Sequence, residues 1–424
     1  MPAGSTLTRS PLIALAVAVL SVGLLLCACS SAPCEDAPCP ACKNSGKVEC
    51  RIHKDYKFPT FKCSACYECP NGCWGVGWMP CPRKDCPSTH KAELVAEFAK
   101  LSADRKAWVD SRRAAVEAKA FGNNEKLKTV KALHVETDHF RLASTMKPHK
   151  VRFSRKGMEK ILTYDSHQVM HLYAQRIEDA FAACMKLIDF QGIYKPLCCD
   201  KFLLMCWQSL EEQNAASFAF CNMTNPAGAS IDALNYTTQD GDDDIYLHHK
   251  LVHIIAHLVS DDYGGIVEFF PVWFREAFAH WVEYDVFNEL VIFCAGEVND
   301  DPGCPTRCLK SVIKAQVKGK TKRNTPLSAF VNNNIMDLTG WHRIKGMTVV
   351  DWMLNGYGKN VVGPLIVQFK KDFPKLKQQG PTIRAIFPDK TYDDIDEMWA
   401  AWVLKTYPEI EEFKEKLPPL PEGK

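Results

Sequence analysis

The chain reads as an α+β protein, strands first and helices after, headed by a cysteine-rich module, and three observations carry that reading. Between residues 132 and about 236, the stretches KALHVETDHFRLAS, KFLLMCWQSL, ASFAFCNM and ASIDALNY have strand character, while Lys156 to Asp189 has helical spacing. From Tyr246 onward the apolar positions of most segments recur at helical intervals. Ten cysteines fall between Cys34 and Cys86, nearly one residue in five, against eight scattered from Cys184 to Cys308. That density sets the N-terminal segment apart as a module of its own.

At 424 residues the chain has room for two or three domains, and 46% hydrophobic with 24% charged residues is ordinary for a globular protein. A net charge of +2 creates no whole-chain field, so nothing argues for nucleic acid or an acidic polymer as a partner, and no nucleic acid is expected. The expected organisation is a leader at 1–28, the cysteine-rich module at 29–90, a helical linker at 91–131, the main domain at 132–417 and a Pro-rich tail at 418–424.

The leader is the apolar run LIALAVAVLSVGLLLCAC behind Arg9, a signal-peptide core, with an uncleaved membrane anchor as the alternative. Leu26-Cys27-Ala28-Cys29 resembles a bacterial lipobox, which implies that Cys29 is lipidated and tethers a mature chain to the membrane.

In the module, CPACKNSGKVEC supplies Cys39, Cys42 and Cys50, CSACYEC supplies Cys63, Cys66 and Cys69, and Cys73, Cys81 and Cys86 follow. This text resembles the DnaJ-type cysteine-rich zinc module, in which paired C-x-x-C-x-G-x-G knuckles hold two zincs, so a zinc-ribbon-like fold is expected. Asn44 stands in place of the first glycine, and three residues separate Cys69 from Cys73. A compartment outside the cytoplasm also permits a disulfide-stapled knot, although close C-x-x-C pairs bridge awkwardly and grip zinc well.

Residues 88–131 carry Ala, Lys, Glu and Arg at helical spacing with few large apolar positions, which reads as a surface or spacer helix broken at Gly122-Asn123-Asn124. His167 and His171 are four apart, but no third ligand follows at a recognisable spacing, and they read as surface or core histidines. Asp240 to Asp244 lacks the ligand spacing of a calcium loop and reads as a solvated loop before a helix.

Residues 246–285 carry the chemistry. His253 and His257 are four apart in an apolar helical run, so both imidazoles leave one face, and a helix opened by Pro271 places Glu276 among Trp273, Phe274 and Phe278. An unpaired carboxylate is costly there. Two imidazoles and a carboxylate complete a protein ligand set for a catalytic-type zinc.

H-x-x-x-H followed about twenty residues later by PVWFREAFAHWVE resembles the gluzincin metallopeptidases, particularly the secreted peptidase MA-like group. The resemblance implies a gluzincin-like domain of a small mixed sheet plus a mainly helical C-terminal half, with His253, His257 and Glu276 as zinc ligands and a sheet edge able to hold extended peptide. The family motif is H-E-x-x-H, and its Glu is the general base; here that position is Ile254, which cannot take a proton. His280, one turn after Glu276, is a candidate substitute ligand or base, with Glu268 and Glu283 as other candidate bases.

Cys294, Cys304 and Cys308 lie in a Gly-, Asp- and Pro-rich stretch suited to a local disulfide, and amphipathic helices run from Thr325 to the segment holding Trp399 and Trp402. The functional expectation is a membrane-anchored envelope lipoprotein with an inactive or weakly active zinc-peptidase-like domain that binds peptide or protein. The alternatives are an active zinc hydrolase with a non-standard base and a purely structural envelope protein.

Overall fold

The computed structural model describes residues 40–50, 61–118, 127, 130–155, 158–189, 195–196, 199–221, 233–237, 244–264, 271–290, 308–319, 324–372 and 379–409. The expected leader, Cys29, Cys39, residues 122–124 and 240–243, Glu268, Cys294, Cys304 and the tail at 418–424 lie outside them. Within them the chain is mixed helix and sheet, compatible with the α+β class.

The cysteine-rich segment is built from β1 (Lys47–Glu49), β2 (Lys62–Cys63), the one-turn helix α1 (Ser64–Tyr67) and β3 (Trp78–Pro80). β1 and β3 pair antiparallel, with Val48 opposite Met79. Asn44 takes a φ of 68°. Asparagine is among the few residues that tolerate this left-handed conformation, so it can fill the place of the expected glycine. α2 (Lys91–Val116) is largely exposed, burying only Leu94, Val109 and Val116, as suits a spacer. It nevertheless braces the segment: Phe98 lies 5.8 Å from Trp78 and Trp108 lies 5.3 Å from Tyr67, while Arg113 pairs with Glu68 at 2.5 Å.

The sheet continues with β4 (Leu133–Glu136) and β5 (Phe140–Ser144), which divide the KALHVETDHFRLAS run into an antiparallel hairpin. A separate hairpin, β6 (His149–Arg155) and β7 (Met158–Tyr164), precedes α3 (Ser166–Ile188), and β8 (Phe202–Trp207), α4 (Leu210–Cys221) and β9 (Ala233–Thr237) follow. The strand order is β2-β4-β5-β8-β9, antiparallel as far as β5 and parallel from β5 to β9. Parallel neighbours need crossovers, and α3 and α4 serve as those of β8 and β9. Pairing of Lys62 with Glu136 and of Cys63 with Val135 carries the sheet across the boundary expected at residue 90.

Two local expectations are corrected. The helix expected over Lys156–Asp189 begins only at Ser166, because Met158–Tyr164 pairs residue for residue with β6. Asp165 caps the helix: its side chain accepts from the Gln168 backbone N–H while Gln168 answers on the Asp165 N–H. The ASFAFCNM stretch, expected as a strand, lies in α4 as far as Cys221. Ser209 starts that helix by accepting from the Glu212 N–H at 3.2 Å, an S-x-x-E pattern at a helix N-terminus. The connection between two parallel strands then overrides the aromatic content of Phe218 and Phe220.

The rest is helical: α5 (Ile245–Gly264), α6 (Val272–Phe287), α7 (Leu309–Gly319), α8 (Leu327–Phe330), α9 (Gly340–Asn355), α10 (Val362–Asp372), α11 (Gly380–Ile386) and α12 (Tyr392–Thr406). α6 packs between α5 and α9, and α3 lies against both α5 and α6. One continuous apolar cluster joins them, anchored by Trp273, Phe274, Phe278, Trp352 and Trp399. α9 is buried nearly all round, from Gly340 to Met353, as a helix at the centre of a core must be. Among the described residues no helix is long and apolar enough to cross a membrane.

Candidate metal centre

α5 and α6 bring the expected ligands together. His253 and Glu276 are essentially inaccessible and His257 is 8% exposed, so the apolar positions that bury the two helices carry these polar groups inside with them. The Nε2 atoms of His253 and His257 are 3.1 Å apart, and Glu276 presents Oε1 at 3.5 Å from His257 and Oε2 at 3.8 Å from His253. Bonds of about 2.0–2.2 Å to one tetrahedral ion put neighbouring donors roughly 3.3–3.6 Å apart. The triad therefore has the dimensions of a metal-binding group.

Glu283, two turns after Glu276 on α6, stands behind it. Its Oε2 lies 3.4 Å from His253 Nδ1 and its Oε1 lies 2.8 Å from His249 Nδ1. A carboxylate on Nδ1 selects the tautomer whose Nε2 lone pair faces Glu276 and His257, as the outer partners of metal-bound histidines do. His280 also sits on this side, with Nδ1 3.6 Å from Glu283 and its ring centroid 4.7 Å from that of His253. It forms a group with His253 and Glu283, not with His257 and Glu276.

The charges favour a cation. Burial pushes the Glu276 carboxyl up, but His257 and then His253 outweigh it and hold the group well below the usual carboxylate range. Burial likewise opposes ionisation of Glu283, and hydrogen bonds from His249, His253 and His280 overcome it. Burial drives the His257 imidazole well below its ordinary value, leaving it neutral and able to donate a lone pair. Arg343 of α9 lies 3.4 Å from Glu276 Oε2 and donates to the Ile335 carbonyl at 3.1 Å.

Ile254 is 8% exposed and belongs to the main apolar cluster. Arg343 escaped the sequence reading, and so did Asp261 and Arg275 beside the site. Asp261 lies four residues beyond His257, one turn further along α5, and Arg275 grips it through two hydrogen bonds of 3.0 and 2.7 Å. Burial raises the Asp261 carboxyl to about 7 against the pull of Arg275. The repeated four-residue step from His253 to His257 to Asp261 was the available signal.

The module cysteines fall into separate groups. Cys42, Cys81 and Cys86 form one and Cys50, Cys69 and Cys73 another, each able to hold a metal ion. The sulfurs of Cys42 and Cys86 are 3.5 Å apart and those of Cys50 and Cys69 are 3.7 Å apart. A disulfide would be about 2.05 Å long, whereas two thiolates at about 2.3 Å from one tetrahedral ion stand roughly 3.8 Å apart. Cys63 and Cys66 join neither group; they meet His167 and His171 of α3, so the third partner for those histidines, which no spacing along the chain announces, comes from the cysteine-rich segment.

A cavity of about 200 Å³ lies where α2 meets the sheet, lined by Arg112, His134, Arg141, Lys201 and Leu203 among others, and none of the His253, His257 and Glu276 triad reaches it. The chain matches no protein-family model and no curated protein.

Proposed function

We propose that the domain built around α5 and α6 is a gluzincin-like zinc centre that has lost its general base, in a cell-envelope lipoprotein anchored through Cys29, and that it binds peptide or protein with little or no hydrolysis. The observation that carries this reading is the convergence of His253, His257 and Glu276 with Glu283 behind His253, while the position after His253 is the apolar Ile254. Bound there, zinc would supply a Lewis acid for a carbonyl and lower the pKa of a coordinated water to about 7. His253 and His257 would hold it through neutral Nε2 atoms, Glu276 would add charge, and Glu283 would orient His253. Ile254 accepts no proton, and the loss of a general base typically costs about 10²- to 10⁴-fold. β9, the last strand in the sheet order among the described residues, is where an edge of the kind that extended peptides join would lie. The two three-cysteine groups fit structural zinc in the N-terminal module.

The test combines elemental analysis with a peptide-library assay on the native chain, Ile254→Glu and His253→Ala. The native chain should hold metal at this centre and cleave weakly or not at all. Ile254→Glu should raise cleavage by about 10²-fold or more, and His253→Ala should abolish both that gain and the metal. Strong native cleavage lost in His253→Ala would establish a working hydrolase with another base. Absence of metal from the native centre would leave a purely structural domain.

A further inference from the structure

Cys63, Cys66, His167 and His171 have more of the attributes of a structural metal site than any other group in the described residues. Cys66 Sγ lies 3.0 Å from His167 Nε2 and 3.3 Å from His171 Nε2, and the two Nε2 atoms are 3.0 Å apart. All four donor atoms lie within 4.8 Å of one another. Zinc bonds of about 2.3 Å to sulfur and 2.0–2.1 Å to nitrogen imply donor separations of roughly 3.3–3.8 Å, close to these. A two-iron cluster with the same ligands would hold the cysteines and the histidines on different irons. Here thiol and imidazole touch, so the arrangement suits a single ion.

Each pair arises locally. Cys63 ends β2 and Cys66 sits in α1, a C-x-x-C step at a strand-to-helix turn. His167 and His171 occupy the first turns of α3, where the Asp165 capping box fixes the helix start and the four-residue spacing puts both rings on one face. The C-x-x-C and H-x-x-x-H pairs are separated by 101 residues from Cys66 to His167, and only the fold unites them. We propose that these four residues bind one zinc-type ion that fastens the cysteine-rich segment to α3, independently of the centre between α5 and α6.

Such an ion would add to a junction that is already made. β2 pairs with β4 over two residues, the His134 N–H donates to Ser64 Oγ at 2.9 Å, and Cys63 packs in the main apolar cluster with Phe61 and Ala65 against it. Four protein donors leave no open coordination position, and Cys63 and His171 are buried, so the site is structural in character. Thiolate and imidazole donors together select zinc over magnesium or calcium.

The experiment uses the full chain, with metal measured per polypeptide and cobalt as a spectroscopic probe. The Cys66→Ser, His171→Ala double variant should lose about one ion per chain, whereas His253→Ala should keep that ion, which separates failure here from failure of the α5–α6 centre. His171→Cys should retain the ion, and its cobalt absorption should shift as a third thiolate replaces an imidazole. Chelation should expose residues 61–90 to limited proteolysis before the helical core. An unchanged metal count in the double variant, an unshifted cobalt spectrum in His171→Cys, or a Cys63–Cys66 disulfide in protein taken from its native compartment would each overturn the proposal. If the double variant does not fold, the His171→Cys spectrum decides alone.

Discussion

Glu283 is the residue on which most of the α5–α6 centre turns, because one buried carboxylate meets His249, His253 and His280. Replacing it by Gln keeps the shape but removes the charge that holds the His253 tautomer. Glu283→Gln should weaken metal binding by about 10- to 100-fold, measured by competition with a chelator of known affinity. An unchanged affinity would mean that Glu283 only packs. His134, beside the cavity at the sheet, is the residue with the clearest pH signature. Burial, followed by the charges of Arg113 and Arg112, lowers its imidazole from 6.5 to about 4. The unfolded chain therefore takes up the proton first as pH falls. Stability from this group is complete above 6.5 and is lost as pH drops toward 4, up to about 3 kcal/mol. His134→Gln should remove that part of the acid sensitivity, read as a smaller fall in urea midpoint between neutral pH and pH 4 than in the native chain.

Among elements, the crossing of α6 and α9 positions Glu276, and Gly346 lets the two helices approach. A Cβ at Gly346 would stand 3.0 Å from the Ala277 Cβ and 3.5 Å from the Trp273 carbonyl oxygen. In an open helix, Gly to Ala would stabilise by about 0.5–1 kcal/mol. Overpacking a core contact costs about 1–3 kcal/mol, so the clash wins. Gly346→Ala should lower the melting temperature and, by displacing the residue next to Glu276, weaken metal binding too. A raised melting temperature would show that the crossing has slack. α3 has a comparable part on the other side: it carries His171 near its start, and Tyr173 and Arg176 further along both bond Asp244, just before α5 begins.

At the scale of the molecule, the cysteine-rich segment and the helical core share one sheet, with β2 at its edge, and one candidate metal site. The segment therefore does not hang from its linker. α2 runs alongside as a brace, its Trp108 indole donating to Glu136 of β4 at 3.3 Å. The α5–α6 centre lies deep in the helical half, with His257 the most exposed of its three candidate ligands.

What the sequence by itself determined was whatever short-range spacing encodes. The i, i+4 step put His253 and His257 on one helix face, Pro271 opened the next helix, and its periodicity turned Glu276 inward. The capping patterns at Asp165 and Ser209 were also there to be read, and they would have corrected the starts of α3 and α4. Tertiary structure decided which distant partners meet. Met158–Tyr164 contains residues acceptable in a helix, and only pairing with β6 made it a strand. Cys63 and Cys66 resembled their cysteine neighbours in sequence, yet the sheet turned them toward histidines about a hundred residues away. Local propensities are differences of a few tenths of a kcal/mol per residue, whereas burial and strand pairing act on whole segments at once. Where the two conflict, the topology prevails, and a ligand set assembled across it leaves no spacing to read along the chain.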